Sequence, residues 1–398
     1  MIMAKIYEQR RKKLSETLQG EPAVLTAFSA MQQTNDSSAP FVQESIFFWL
    51  TGIAEPDWKV VLLGEKTWLV PPAKSDIHRI FDGGLSPEEA QDIAGSATVI
   101  DKNEYEDLLR EIANEHTAIY TIFKHPHSSD YDFILNPAVQ KLHKQLKQFF
   151  NEVKDCRRDV SKLKAIKSPE EIEHIQAAID ISIKGFNNVR DALSTAKYEY
   201  EIEAELSYAF RKAGSQGHAY EPIVGTGKNA CTLHYIDNND PLPTDGMVLI
   251  DAGARVNGYA ADITRTYAIG SPSPREKAVH TAVEAAHQKI INLIKPGLSF
   301  KDYGDQADEI MKQALKSLDL LKAPDDYRRY FPHAVSHGLG IDVHDSLGGF
   351  ETFQTGMVLT VEPGIYIPEE GIGVRIEDDI LVTTSGRKNL SAALPTSL

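Results

Sequence analysis

Two aspartates stand where an apolar strand tolerates them least. The stretch VLIDAGARVNGYAADITRT (248–266) reads as strand, Asn257-Gly258 turn, strand. A two-residue loop at 257–258 sets Asp251 opposite Thr264 and puts Asp262, two residues along the partner strand, on the same face. Aspartate is a poor strand former. Two of them on one face, at the ends of apolar strands, require a compensating cation. Whatever this chain folds into must therefore close a hairpin around a charged site.

A second stretch repeats the pattern. TVEPGIYIPEEGIGVRIEDDILVT (360–383) reads as a hairpin with its loop near Glu369–Gly371, which places Glu362 opposite Glu377 and Arg375 on the face of Glu377. Pro363 and Gly364 are the residues able to disturb that register. The two hairpins also open alike, TDGMVLIDAG (244–253) echoing QTGMVLTVEPG (354–364), which suggests two related halves. The acid falls five residues after Gly246 but six after Gly356, a difference that a bulge could absorb.

Between the hairpins lies HAVSHGLGIDVHD (333–345), with His333, His337 and His344, and His234 sits in TLHY just before the first half. Singly, each histidine reads as an ordinary hydrogen-bonded residue. Beside four strand carboxylates they read as a site. Four carboxylates in one pocket cannot all ionise unaided, because like charges raise one another's pKa. Two divalent cations would balance them. Oxygen-rich ligands with an imidazole suit Mn²⁺, Co²⁺ or Zn²⁺ rather than a thiolate-loving metal, and two such ions about 3.5–4 Å apart hold a bridging hydroxide suited to hydrolysis.

Composition narrows the setting. Among 398 residues the formal net charge is −15, which repels phosphate backbones and argues against nucleic acid as a partner. Two cysteines, Cys156 and Cys231, can neither build a structural zinc site alone nor staple a chain this long, and they suit a reducing compartment. The absence of an apolar run of about 18 residues argues against a membrane span, and the basic N-terminus lacks the apolar core of a secretory signal. The cytoplasm is the expected address.

The first 155 residues read as α/β. A helix near Lys5–Leu18 aligns Tyr7, Leu14 and Leu18, and strand-length apolar runs follow at Ala23–Phe28, Lys59–Leu63, Thr67–Val70, Thr98–Ile100 and Ala118–Phe123. The aromatic segment Phe41–Pro56 is expected to pack in a core. The charged, aperiodic run 151–171 marks a boundary, giving domains 1–155 and 156–398. It ends in a helix start, with Ser168 as cap, Pro169 at the first helical position and Glu171 completing a capping box. Ile172, Ile175, Ile179 and Phe186 then recur at helical spacing.

DAGARVNGYAADITRT, SHGLGIDVHD, TVEPGIYI and GVRIEDD resemble the signature stretches of the metal-dependent pita-bread peptidases, the group that includes methionine aminopeptidase, aminopeptidase P and prolidase. The resemblance covers 160–398, while YEQRRKKL and FVQESIFFWLTGIAEP resemble the amino-terminal domain shared by aminopeptidase P and prolidase. It implies an α/β N-terminal domain followed by an α+β pita-bread catalytic domain with pseudo-two-fold symmetry. It also implies two divalent ions, with Mn²⁺ expected ahead of Co²⁺ or Zn²⁺, ligated by Asp251, Asp262, His337, Glu362 and Glu377, of which Asp262 and Glu377 bridge.

By the same resemblance His234 and His344 bind the scissile carbonyl and its oxyanion, and Glu362 takes the proton of the nucleophilic water. Arg375 orients Glu377 or the histidines, and His333 and Tyr366 line a pocket for a proline ring. The implied activity is an Xaa-Pro aminopeptidase acting through a hydroxide bridging the two metals on small peptides with proline second. An Xaa-Pro dipeptidase (prolidase) is the alternative, and the short gaps from His344 to Glu362 and Glu362 to Glu377 disfavour it. A metal-free pita-bread binding module is a remote alternative, because such proteins lack parts of the ligand set. A homodimer or higher homo-oligomer is expected.

Overall fold

The computed structural model describes residues 2–123 and 133–398. The chain divides into two compact units, Met1–Leu163 and Lys164–Leu398. Among the described residues no helix is long and apolar enough to cross a membrane.

The first unit contains α1 (Ile2–Thr17), β1 (Ala23–Thr26), α2 (Ser45–Thr51), β2 (Lys59–Leu63), β3 (Lys66–Val70), α3 (Asp76–Asp82), α4 (Pro87–Ala94), β4 (Thr98–Val99), α5 (Lys102–Glu115), β5 (Ala118–Thr121), α6 (Ala138–Leu146) and β6 (Glu152–Asp155); α7 (Arg157–Ala165) runs across the boundary. Its strands form one mixed sheet in the order β4-β3-β2-β1-β5-β6. β1, the innermost apolar run, is wholly buried, and Val24, Val61 and Ile119 of the sheet pack against Tyr105, Leu109 and Ile112 of α5 and Leu142 and Leu146 of α6. Tyr7, Leu14 and Leu18 are buried, as are Ile46, Phe47, Trp49 and Leu50 of the aromatic segment, in line with the sequence expectation.

β6 is the element that apolar patterning misses. Its residues, EVKD, offer one apolar side chain among three charged ones, because it is an edge strand paired only to β5, with Val153 alone packed toward the core. The expected domain boundary at 155/156 falls between β6 and α7.

The second unit contains α8 (Pro169–Ala192), α9 (Glu199–Lys212), β7 (Ile223–Thr226), β8 (Gly246–Ala252), β9 (Arg255–Val256), β10 (Tyr259–Ala260), β11 (Ile263–Ile269), α10 (Pro274–Leu293), α11 (Phe300–Ser317), α12 (Asp326–Tyr330), β12 (Val358–Val361), β13 (Gly364–Ile367), β14 (Ile372–Arg375), β15 (Asp378–Thr383) and β16 (Gly386–Asn389). Each half supplies a packed helix pair, α8 with α9 and α10 with α11, followed by an antiparallel three-stranded sheet, β11-β8-β7 or β12-β15-β16. This is the α+β, pseudo-two-fold arrangement expected. α8 begins with the capping box of Ser168 and Glu171, and α10 repeats the device with Ser273 and Glu276. Ile175, Ile179 and Phe186 are fully buried along α8, while Ile172 is only partly so.

Both hairpin registers follow the sequence. Thr264 pairs with Asp251 across β8 and β11, and Tyr259 with Val256 across the turn. The turn works because Asn257 and Gly258 both adopt positive φ, 48° and 82°, which suits the twist of a two-residue hairpin. In the second half Val361 pairs with Asp378 and Gly364 with Arg375, one continuous register on either side of Glu362 and Glu377. Pro363 and Gly364 therefore do not shift it. No bulge interrupts either ladder, so the five-versus-six offset is not absorbed that way; Asp251 lies within β8, whereas Glu362 lies one residue past β12. The halves join where the Glu377 amide donates to the Thr264 carbonyl at 3.0 Å. The segment 335–339 runs along β12 through Leu339 N to Val358 O, Thr360 N to His337 O and Glu362 N to Val335 O, which brings His337 to the seam.

Candidate active site

The seam collects the expected acids. Asp251 lies within β8, one residue before its end, Asp262 lies between β10 and β11, and Glu377 lies between β14 and β15; all three are buried. Ligand atoms of Asp262, His337 and Glu377 fall within 4.8 Å of one another. Glu362 joins through His337, whose Nε2 is 3.3 Å from Glu362 Oε1 and 3.4 Å from Asp262 Oδ2. Asp251 joins through Tyr220, whose hydroxyl is 2.5 Å from Asp251 Oδ1 and 2.5 Å from Asp262 Oδ1.

The cluster is short of positive charge. Arg375 reaches Asp251 Oδ2 at 2.5 Å and is the one guanidinium paired with any of the four carboxylates among the described residues. Burial first, then mutual repulsion, raises Glu377 well above the ordinary carboxylate range. Asp251 and Glu362 are raised for the same reasons, against the pull of Arg375 on the first and of His337 on the second. Burial lowers the His337 imidazole, but Asp262 and Glu362 outweigh it and raise the pKa to about 9. The Tyr220 hydroxyl has one proton for two close carboxylate oxygens. His337 Nδ1 faces the Gly338 carbonyl at 3.0 Å and holds one proton there, so the second proton, which the raised pKa retains, sits on Nε2 toward two acids, where a cation would replace it. A donor set of four carboxylates and one imidazole, in which Asp251, Glu362, Glu377 and His337 hold protons above their ordinary pKa, fits divalent cations, which displace those protons.

A hydrogen-bonded wall backs the cluster. Arg375 Nε donates to Thr264 Oγ1 at 3.2 Å, and Thr264 Oγ1 donates to Glu377 Oε2 at 2.7 Å. Arg375 Nη1 donates to the Tyr366 hydroxyl at 2.9 Å, which lies 2.9 Å from His333 Nε2. Arg375 thus touches Asp251 directly and reaches Glu377 and His333 through one intermediary each. Tyr366 is buried, with its hydroxyl engaged between Arg375 and His333. Burial and the Arg375 charge lower His333 to about 4, so it is neutral near pH 7.

His344 stands edge to face against His337, ring centroids 4.3 Å apart, and loss of water followed by the His337 charge lowers its pKa. His234 is exposed, and its charge acts on both His333 and His344.

Sequence reasoning missed Tyr220, whose partners lie 31 and 42 residues downstream. It is a lone tyrosine in HAYEPIVGTG, and nothing local marks it. It also missed Asp379, which is fully buried and accepts from the Asp262 amide at 3.2 Å. The doubled acid of GVRIEDD was the available signal.

A pita-bread fold closing on a buried carboxylate and histidine cluster defines a class of metal-dependent peptidases. Residues 173–384 match the model of metallopeptidase family M24 and residues 7–120 that of the aminopeptidase P N-terminal domain, and the chain belongs to metallopeptidase family M24. The Xaa-Pro aminopeptidase of Haemophilus influenzae is 34% identical over 417 residues, covering 98% of this chain and 94% of its own. That of Escherichia coli is 32% identical, covering 98% and 94%. The structure of Escherichia coli aminopeptidase P with the inhibitor Pro-Leu superposes with a TM-score of 0.86 at 29% identity, covering 99% of this chain and 96% of that one.

Proposed function

We propose that this chain is a metal-dependent Xaa-Pro aminopeptidase that releases the N-terminal residue from peptides with proline in second position. The observation that carries it is the union of Asp251, Asp262, His337, Glu362 and Glu377 in one charge-deficient, largely buried cluster, in a chain that aligns nearly end to end with Xaa-Pro aminopeptidases.

Asp251, Asp262, His337, Glu362 and Glu377 would hold two divalent ions, with Asp262, His337 and Glu377 at the centre of the cluster. Such ions acidify water and polarise a carbonyl. Glu362 accepts the proton of the attacking water at Oε2, the oxygen turned to His333 rather than to His337. His234 and His344 donate to the scissile carbonyl oxygen as charge develops on it. Arg375 fixes Asp251 directly and Glu377 through Thr264, which is how it sets ligand direction. His333, held by Tyr366, lines the wall that meets the proline ring. Manganese is the metal proposed, since oxygen donors dominate the set. Two unpaired cysteines support a reducing, cytoplasmic setting. Ile77, Ile80 and Phe81 on α3 are exposed and supply apolar surface for a homodimer or higher homo-oligomer.

The test pairs Ala-Pro-Ala with Ala-Pro on Mn²⁺-loaded protein. Alanine should be released from the tripeptide with kcat/KM at least about 10-fold above the dipeptide, and acetylation of the α-amine should stop cleavage. Cleavage of the dipeptide alone would make the protein a dipeptidase, and cleavage of neither would remove the proposal.

A further inference from the structure

A buried ion cluster holds the histidine loop from behind, and no step above uses it. Lys167 Nζ lies 2.9 Å from Asp345 Oδ2 and donates to the Lys164 carbonyl at 2.8 Å. Lys164 Nζ lies 3.4 Å from Asp345 Oδ1 and 3.3 Å from Asp342 Oδ2. The side chains of Lys167 and Asp345 are 2% and 3% exposed. Lysine is seldom buried so completely, and a buried ion pair is a weak source of stability compared with an apolar pair of the same volume. What an ion pair adds is direction.

The direction is toward His344. Asp345 follows it in the chain, and the Asp345 amide donates to the Gly338 carbonyl at 2.8 Å, closing the loop 338–345 at its neck. Gly338 follows His337, so this closure sets the two histidines side by side. Lys167 is itself anchored, its amide donating at 2.9 Å to the carbonyl of Gly356, which precedes β12. The loop makes room for the pair, for a Cβ at Gly340 would stand 2.3 Å from Asp345 Oδ2 and 3.1 Å from Lys167 Cε.

We propose that Lys167, acting through Asp345, is a positioning residue that sets the His344 imidazole beside the carboxylate cluster, an inference that rests on the function proposed for His344. Lys167 touches no reacting atom and is not itself catalytic.

A double-mutant cycle on the Mn²⁺-loaded protein tests it with Ala-Pro-Ala. Lys167→Met should lower kcat about 10- to 100-fold, the scale of a misplaced catalytic group, with KM within about threefold and metal retained. In the His344→Ala background the same change should cost less than about twofold, because the two act as a unit. Lys167→Arg, which keeps the charge, should recover part of the loss. An equal fold-loss in both backgrounds would overturn the proposal, as would a lower Tm with kcat per metal-loaded molecule unchanged. Should Lys167→Met fail to fold, Asp345→Asn carries the same cycle. A second readout needs no activity: in metal-free protein, NMR signals of the His344 ring should shift or broaden on Lys167→Met while those of His78 stay. Unmoved His344 signals would overturn the positioning role. If the wild type cleaves no Xaa-Pro peptide, the functional reading fails while this arm still decides the placement of His344.

Discussion

Glu377→Gln should lose bound metal and more than about 10³ of turnover while melting, without metal, at or above the wild type. The two effects have one cause. Glu377 is held far above the ordinary carboxylate range by burial and by Asp262, Glu362 and Asp251. Removing its charge relieves that repulsion at constant volume, so the metal-free fold gains. The same change removes a residue proposed as a ligand of both ions, and metal stabilisation of transition-state charge is worth several kcal/mol, at about 1.4 kcal/mol per tenfold in rate. Metal analysis, melting curves with and without Mn²⁺, and steady-state kinetics on one preparation read all of it. A variant that keeps two ions and normal turnover would remove Glu377 from the ligand set.

His344→Ala should behave differently, keeping its metal and losing about 10²–10³ in kcat, the usual scale for one oxyanion donor. His344 packs against His337, a proposed ligand, and lies outside the Asp262, His337 and Glu377 group that could hold a metal. The residue is exposed at one side and packs on His337 at the other, so truncation leaves little cavity and Tm should hardly move. A histidine of purely structural worth would give the reverse, with lower Tm and unchanged kcat per folded, metal-loaded molecule.

The placement of the clustered carboxylates was legible in the sequence because strand period and turn chemistry act locally. Asn257-Gly258 fixes a turn, the turn fixes the register, and the register aims Asp251, Thr264 and Asp262 to one side. The second hairpin follows by the same rule. What escaped depends on contacts far apart along the chain. Tyr220 earns its place only when β8 and the Asp262 segment converge on it. Lys167 reads as one more charge in an aperiodic run until Asp345, 178 residues later, folds onto it. β6 was hidden by its edge position, where a single apolar residue, Val153, is too little for patterning to detect. The meeting of the two halves at Thr264 and Glu377 is likewise a tertiary event that neither hairpin announces.

Specificity for proline is the claim on which the rest depends. Replacing the ring by alanine removes two or three methylenes at about 0.8 kcal/mol each and leaves an amide N–H with no assured acceptor. That costs roughly 10- to 100-fold before any displacement of the carbonyl from the metals. The most direct measurement is kcat/KM for Ala-Pro-Ala against Ala-Ala-Ala on the same Mn²⁺-loaded protein, repeated after chelation. The account predicts a ratio of at least about 10 to 100 in favour of proline, with both activities abolished by chelation and restored by Mn²⁺; equal rates on the two tripeptides, or undiminished cleavage by protein shown to be metal-free, would contradict it.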